Sequence, residues 1–143
     1  MYKIRLMVPS DKNFIYRSWL QSYKHDSPMT VFIGRDFFFK IQQKIVDTIF
    51  SRDDTKTIIA CDENDEEIIF GFLVYQPKII HYVYVKEPFR KLGIATTLLK
   101  ELGNVENFQG SHFTYKYYDL WDTGKISIDY NPRLLQGMVK DDR

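Results

Sequence analysis

One stretch constrains this chain more than any other: Val83-Tyr84-Val85-Lys86-Glu87-Pro88-Phe89-Arg90-Lys91-Leu92-Gly93-Ile94-Ala95-Thr96. It reads as a strand running into a short basic loop that opens directly into a helix beginning with small residues. A helix N-terminus presents unpaired backbone N–H groups and the positive end of its dipole, so such a loop suits a phosphate. Gly93 lets the backbone approach closely, Ala95 keeps the next position small, and Thr96 adds a hydroxyl. Arg90 and Lys91 add positive charge. The competing reading is a plain strand–helix turn whose glycine relieves sterics, because short glycine motifs recur without function.

The flanking pattern supplies a sheet for this loop to sit on. Tyr2 to Val8 places Tyr2, Ile4 and Leu6 on one side and Arg5 on the other, which predicts a strand. Pro9 ends it, and Ser10 or Asp11 is placed to cap a helix over about Asp11 to Tyr23, with Ile15, Trp19 and Tyr23 four residues apart. His25 to Pro28 breaks that helix. A second helix follows Gly34, with Phe38, Ile41, Ile45 and Ile49 on one stripe. Thr55 to Cys61 and Glu67 to Gln76 predict a hairpin around the acidic run between them, and Lys78 to Lys86 a further strand. A helix is expected from about Ile94 to Leu102 with Gly103 as its cap, then a strand over Ser111 to Tyr118. Asp122-Thr123-Gly124 reads as a turn, Lys125 to Tyr130 as a last strand, and the tail from Asn131 as frayed. The expected fold class is α/β (α+β), a mixed, mostly antiparallel twisted sheet flanked by helices, in one domain over residues 1–143.

Composition narrows the function. Twenty Lys and Arg against 19 Asp and Glu leave a net charge of +1, which argues against a general polyanion binder. A single cysteine, Cys61, rules out a disulfide framework or a cysteine-based zinc cluster, and is expected to pack inside its strand. The acidic run at 62–67 lacks the alternating spacing and central glycine of a calcium loop, so no metal site is expected. No apolar run approaches the roughly 18 residues of a membrane span, and Met1 to Pro9 has no secretory core, so a cytoplasmic location and no membrane partner are expected.

In this setting the segment resembles the acyl-CoA-binding motif of the GNAT superfamily of N-acetyltransferases. That signature, Arg/Gln-x-x-Gly-x-Gly/Ala, is matched by Arg90, Gly93 and Ala95, with Val85 five residues before Arg90 at the end of its strand. The order of elements agrees, and the resemblance covers roughly residues 2 to 118. It implies a GNAT-like acyl-CoA N-acyltransferase fold whose central and following strands splay apart. It further implies acetyl-CoA as cofactor and direct transfer of the acetyl group to an amine of a small molecule or protein. Backbone groups of Val83, Tyr84 and Val85 would pair with the pantetheine amides, one N–H polarising the thioester carbonyl. Lys91, Leu92, Gly93, Ile94, Ala95 and Thr96 would hold the pyrophosphate, flanked by Arg90.

Proton transfer is less legible. His81, two and four residues before Val83 and Val85, shares their face of the strand, and an ordinary imidazole suits a general base. A histidine packed on a sheet face is the competing reading, and Glu87 reads as a solvated loop carboxylate. The family often places a thiolate-protonating tyrosine on a helix after the fifth strand. Here Tyr118 is the best candidate and Tyr130 the next, but 119–123 is too short for that helix. This departure leaves a second reading, a catalytically inactive GNAT-like domain serving as a protein-binding module in an accessory or viral protein. A sheet stacking RNA bases on Tyr82, Tyr84, Tyr115 and Tyr117 is a third, disfavoured by the balanced charge and the missing RNP motif. On the acceptor side stand Tyr23, His25, Asp26, Phe32 and Tyr130, while Trp19 and Phe37 are expected in the core. The oligomeric state is expected to be monomer or homodimer.

Overall fold

The computed structural model describes residues 1–28, 30, 32–103, 107–112 and 127–136. Along the chain run β1 (Tyr2–Leu6), α1 (Lys12–Asp26), α2 (Arg35–Ser51), β2 (Lys56–Asp62), β3 (Ile69–Gln76), β4 (Ile79–Val85), α3 (Ile94–Lys100), β5 (Asn107–Gly110) and β6 (Ser127–Tyr130). The strands form one sheet in the order β1-β2-β3-β4-β5-β6. β1 to β4 pair antiparallel, whereas β5 lies parallel to β4 and β6 parallel to β5. The fold is therefore the mixed α/β sheet with flanking helices that the sequence pattern predicts.

β2 and β3 read as nearly continuous apolar runs because both of their faces are covered. On one face α1 and α2 bring Trp19, Tyr23, Phe38, Ile45 and Ile49 against Ile59, Phe72 and Tyr82. On the other, α3 brings Ile94, Leu98 and Leu99 against Ile58, Leu73, Ile80 and Val85. Each such side chain contributes roughly 1.5–3 kcal/mol when removed from water.

Gly71 lies on β3 opposite Val85. A Cβ there would collide with the Tyr84 carbonyl oxygen and stand 3.2 Å from Val85 Cα, both backbone atoms that cannot swing aside. Gly71→Ala is therefore expected to cost about 1–3 kcal/mol of stability in urea denaturation, as overpacking does elsewhere.

Several local expectations change. β1 ends at Leu6, which is 69% exposed rather than level with Tyr2 and Ile4. α3 is only seven residues long and covers the Tyr2 end, where Tyr2 Oη and Thr97 Oγ1 are 2.8 Å apart. α1 continues through Asp26, one turn beyond Tyr23. Asp11 takes the N-cap position of α1 as expected, but its side chain makes no capping bond there; its carboxylate turns back to Arg5 and to the Val8 N–H. Phe37 is 64% exposed instead of buried, while Trp19 is fully buried. The segment from Asn131 is held rather than frayed at its start: Asn131 N–H donates to Gly110 O, a 3-10 turn spans Pro132–Leu135, and Leu135 packs on the core.

The fifth strand lies upstream of its predicted place. It is Asn107–Gly110, and Ser111 and His112, expected to begin it, form a bend. The expected strand residues 113–118 and the turn at 122–124 lie outside the described residues. Asn107-Phe108-Gln109-Gly110 carries little strand propensity; parallel pairing to β4 and β6 makes it one.

Candidate functional site

The site begins where the described pairing of two parallel strands ends. β4 and β5 pair only at Ile79↔Gln109 and Ile80↔Gly110, followed by one bond from Ser111 N–H to Ile80 O. Beyond Ile80, β4 runs on to Val85 with no β5 partner among the described residues. Tyr84 pairs with Phe72, and Lys86 N–H donates to Phe70 O at 2.8 Å. Alternation along the strand then directs the backbone N–H and C=O of Val83 and Val85 away from β3, toward the β5 side of β4. The Tyr84 backbone turns the other way, into the sheet, which corrects the expectation that it too faces a cofactor.

The loop after β4 is tightly specified. A 3-10 turn at Glu87–Phe89 is anchored by the Phe89 ring stacked on Phe70, centroids 4.1 Å apart. Arg90 Nε donates to Val85 O at 2.9 Å, so the guanidinium is held beside the end of the strand. Lys91 and Gly93 both have left-handed backbone, at φ 64° and 82°. Gly93 is the residue from which α3 starts, and the buried Ile94 fastens that start to the sheet. Leu92 is exposed, and Ala95 and Thr96 are half-buried on the first turn. Thr97, not singled out from sequence, ties the turn together: its Oγ1 donates to Gly93 O at 2.9 Å and meets Tyr2.

An open groove of about 440 Å³ lies on the α1 side of the same strand end. Arg17, Gln21, His25 and Asp26 of α1 face Tyr84, Glu87 and Arg90 across it, and Phe14 and Ser22 complete its floor. Two carboxylates and two guanidiniums thus share one polar cleft. His25 Nδ1 stands 3.1 Å from Asp26 Oδ1. Tyr82 Oη is 2.6 Å from Ser22 Oγ, beneath the groove; the ring is buried, so it offers no stacking surface, and burial pushes its hydroxyl pKa up. Phe32 stands almost wholly in solvent, away from these lining residues.

His81 is not in the groove. It is fully buried, with Nδ1 2.7 Å from Ser111 Oγ and Nε2 2.6 Å from Gln76 Oε1. The β3–β4 register slips between Val74 and Tyr75, so Tyr82 faces Val74 and Ile80 faces Tyr75, with His81 the extra residue of the bulge. That slip breaks the alternation by which His81 was expected to share a face with Val83 and Val85. Burial, with Arg52 nearby, lowers its pKa to about 4. A buried imidazole with both nitrogens engaged is poorly placed to take a proton from a solvent-borne ammonium. Tyr118 lies outside the described residues. Tyr130 is half-buried, and burial raises its pKa. Cys61 is fully buried.

Sequence reasoning passed over Ser111 and His112, because a strand was laid across them. Both are fully buried, Ser111 Oγ lying 2.8 Å from His112 Nδ1. Burial lowers the His112 pKa to about 3. Both rings are thus neutral in the folded protein well below the ordinary value of 6.5. The unfolded chain takes up these protons as pH falls through that value while the native state does not. Stability is therefore complete above it and lost on acidification, by up to about 1.4 kcal/mol per pH unit for each ring. Urea melts between about pH 7 and 5, above most carboxylate titration, check the slope.

No protein-family model matches the sequence, and no curated protein matches it. Solved structures do. A possible acetyltransferase from Clostridium difficile 630 superposes with a TM-score of 0.60 at 14% identity, covering 92% of this chain and 94% of that one. A candidate acetyl transferase from Pyrococcus furiosus gives 0.53 at 15% identity over 100% of this chain and 85% of the other. A GCN5-related N-acetyltransferase from Rhodopseudomonas palustris gives 0.50 at 18% identity, with 70% of this chain matched to 62% of that one. The chain has the GNAT acetyltransferase fold.

Proposed function

We propose that this chain is an acyl-CoA-dependent N-acyltransferase that moves an acetyl group from acetyl-CoA directly onto the amine of a small molecule or protein. The observation that carries the reading is the strand–loop–helix unit from Val83 to Thr96, in which Arg90 is fixed to the end of β4 and Gly93 opens α3 in left-handed backbone. Before that loop the Val83 and Val85 N–H groups point away from β3, which fits a pantetheine arm pairing as a partial strand.

Acetyl-CoA would supply an acyl group activated as a thioester. The chain's own groups then have separable tasks. Backbone N–H groups of Val83 and Val85 would hold the pantetheine and polarise the thioester carbonyl. Lys91 to Thr96, with Arg90 flanking, receive the pyrophosphate on backbone N–H groups and positive charge. The α1 groove takes the acceptor, with Asp26 and Glu87 holding the ammonium and Tyr84 on its wall. Carboxylates in that groove are better placed than His81 to receive the amine proton, and Tyr118 stands as the candidate acid for the thiolate. One buried cysteine and an acyl-CoA-dependent reaction fit a cytoplasmic location, and the protein is taken to act as a monomer or homodimer.

Incubation with radiolabelled acetyl-CoA and a panel of polyamines, amino sugars, amino acids and lysine peptides tests the reading. Label should pass to one amine class, and Asp26→Asn with Glu87→Gln should raise KM for that amine about tenfold, as loss of a charged contact does. Cofactor binding without transfer to any amine would instead favour the protein-binding module, for which the buried His81 is the supporting observation.

A further inference from the structure

We propose that Gln76, His81, Ser111, His112 and Gln42 form a one-proton switch that fastens the end of the described β4–β5 pairing. These side chains come from β3, β4, the bend after β5, and α2, and they join in one line through the core. Gln76 Nε2 donates to Asp54 Oδ1 at 2.6 Å, so its Oε1 must face inward as an acceptor. His81 Nε2 lies 2.6 Å from that oxygen, and Arg52 Nη1 also donates to it at 3.4 Å. His81 Nδ1 meets Ser111 Oγ at 2.7 Å, Ser111 Oγ meets His112 Nδ1 at 2.8 Å, and His112 Nε2 meets Gln42 Oε1 at 3.1 Å.

The protons along this line do not match its links. Four gaps separate the Gln76 oxygen from the Gln42 oxygen, and each needs one hydrogen. Two neutral imidazoles and one hydroxyl supply only three. Two arrangements close the deficit. In the first, the Gln42 amide rotates to present its NH2 to His112, and the rings stay neutral: His81 donates to Gln76, Ser111 to His81, and His112 to Ser111. In the second, Gln42 keeps its oxygen inward and the line takes one proton from solution. His81 then donates from both nitrogens, Ser111 donates to His112, and His112 to Gln42. Amide orientation and ring tautomer are therefore one coupled variable.

The surroundings set the balance between the two states. Asp54 favours the charged line and Arg52 opposes it, both from the turn before β2. Around His112 stand Trp19 and Tyr23 from α1 and Tyr82 from β4, with rings 4.7–6.3 Å away and no ionised group among them. Burial keeps the line neutral near neutral pH, and acid drives it over. Among the described residues β5 is fastened to β4 by two ladder positions, with Gln109 N–H donating to Lys78 O and Ser111 N–H to Ile80 O, and this line reinforces that attachment. Placing one buried charge in it loosens the junction.

Nuclear magnetic resonance of the histidine ring nitrogens in the intact protein, followed from about pH 7.5 to 4, tests this without any acyl transfer. Near neutrality His81 should carry its proton on Nε2 and His112 on Nδ1. On acidification both rings should shift together with one proton taken up. Gln42→Glu, which keeps an inward acceptor and adds negative charge, should move the uptake to higher pH by about one unit, and Gln42→Leu should move it lower. Amide exchange at Ser111 and Gln109 should accelerate across the same transition by about tenfold more than at β2–β3 amides. Independent titration of the two rings, opposite tautomers at neutrality, or identical midpoints in both Gln42 variants with circular dichroism unchanged would overturn the switch. None of these readouts depends on acyltransferase activity, so failure of the proposed function leaves them standing.

Discussion

Arg5→Ala is expected to lower the free energy of unfolding by about 3 kcal/mol, more than any other single surface-proximal change, because it strands a buried carboxylate. Arg5 Nη1 and Nη2 grip Asp11 Oδ2 and Oδ1 at 2.7 and 2.9 Å, a two-pronged pair that simple Coulomb steering would not give. Asp11 is 5% exposed and also accepts the Val8 N–H at 2.8 Å, so it fixes the turn from β1 into α1. The guanidinium beside it holds the Asp11 carboxyl below its ordinary pKa, even though burial pushes the other way. Arg5 reaches further, donating to Glu66 O at 2.7 Å and so tying β1 to the β2–β3 turn. Removing Arg5 leaves Asp11 either buried and charged or protonated against an N–H it still has to satisfy. The paired change of Arg5→Met with Asp11→Leu should cost less than the sum of the two single changes, since no orphaned charge remains. Urea denaturation of the four proteins measures the difference directly.

Gly93→Glu is expected to weaken acetyl-CoA binding by about a hundredfold or more, nearly 3 kcal/mol, while the protein stays folded. Two effects combine. At φ 82° an L side chain strains the backbone by about 1–2 kcal/mol, whatever space surrounds it. A carboxylate placed where α3 starts also opposes the phosphate that the loop would receive. Gly93→Ala separates the two. No atom lies within 4 Å of the added Cβ, so Ala carries the backbone strain alone and should lose only a small part of the affinity. Similar melting temperatures for both variants with very different affinities would locate the effect in charge at the phosphate loop.

The local code served the site's frame well and its chemistry poorly. Gly93 and Arg90 are legible because a left-handed turn and a strand-end guanidinium each demand a residue type that few others can replace. α2 is legible because Phe38, Ile45 and Ile49 obey one helical period. β5 was misplaced because its strand state is imposed by parallel neighbours distant in sequence, which no local propensity reports. His81 looked like a surface base because strict alternation put it beside Val83; the bulge at β4 removes that alternation, and nothing in the local sequence announces it. Ser111 and His112 gain their significance only when α2, β3 and β4 converge on them. Phe37 went the other way, a residue whose type suggests the core but whose place on α2 faces out.

Calorimetric titration of this chain with acetyl-CoA separates a cofactor-binding loop from a plain strand–helix turn. Saturable one-to-one binding at micromolar to sub-millimolar concentration is expected, competed by free CoA and lost in Gly93→Glu. No heat and no thermal stabilisation at millimolar acetyl-CoA, or binding unchanged by Gly93→Glu, would contradict it.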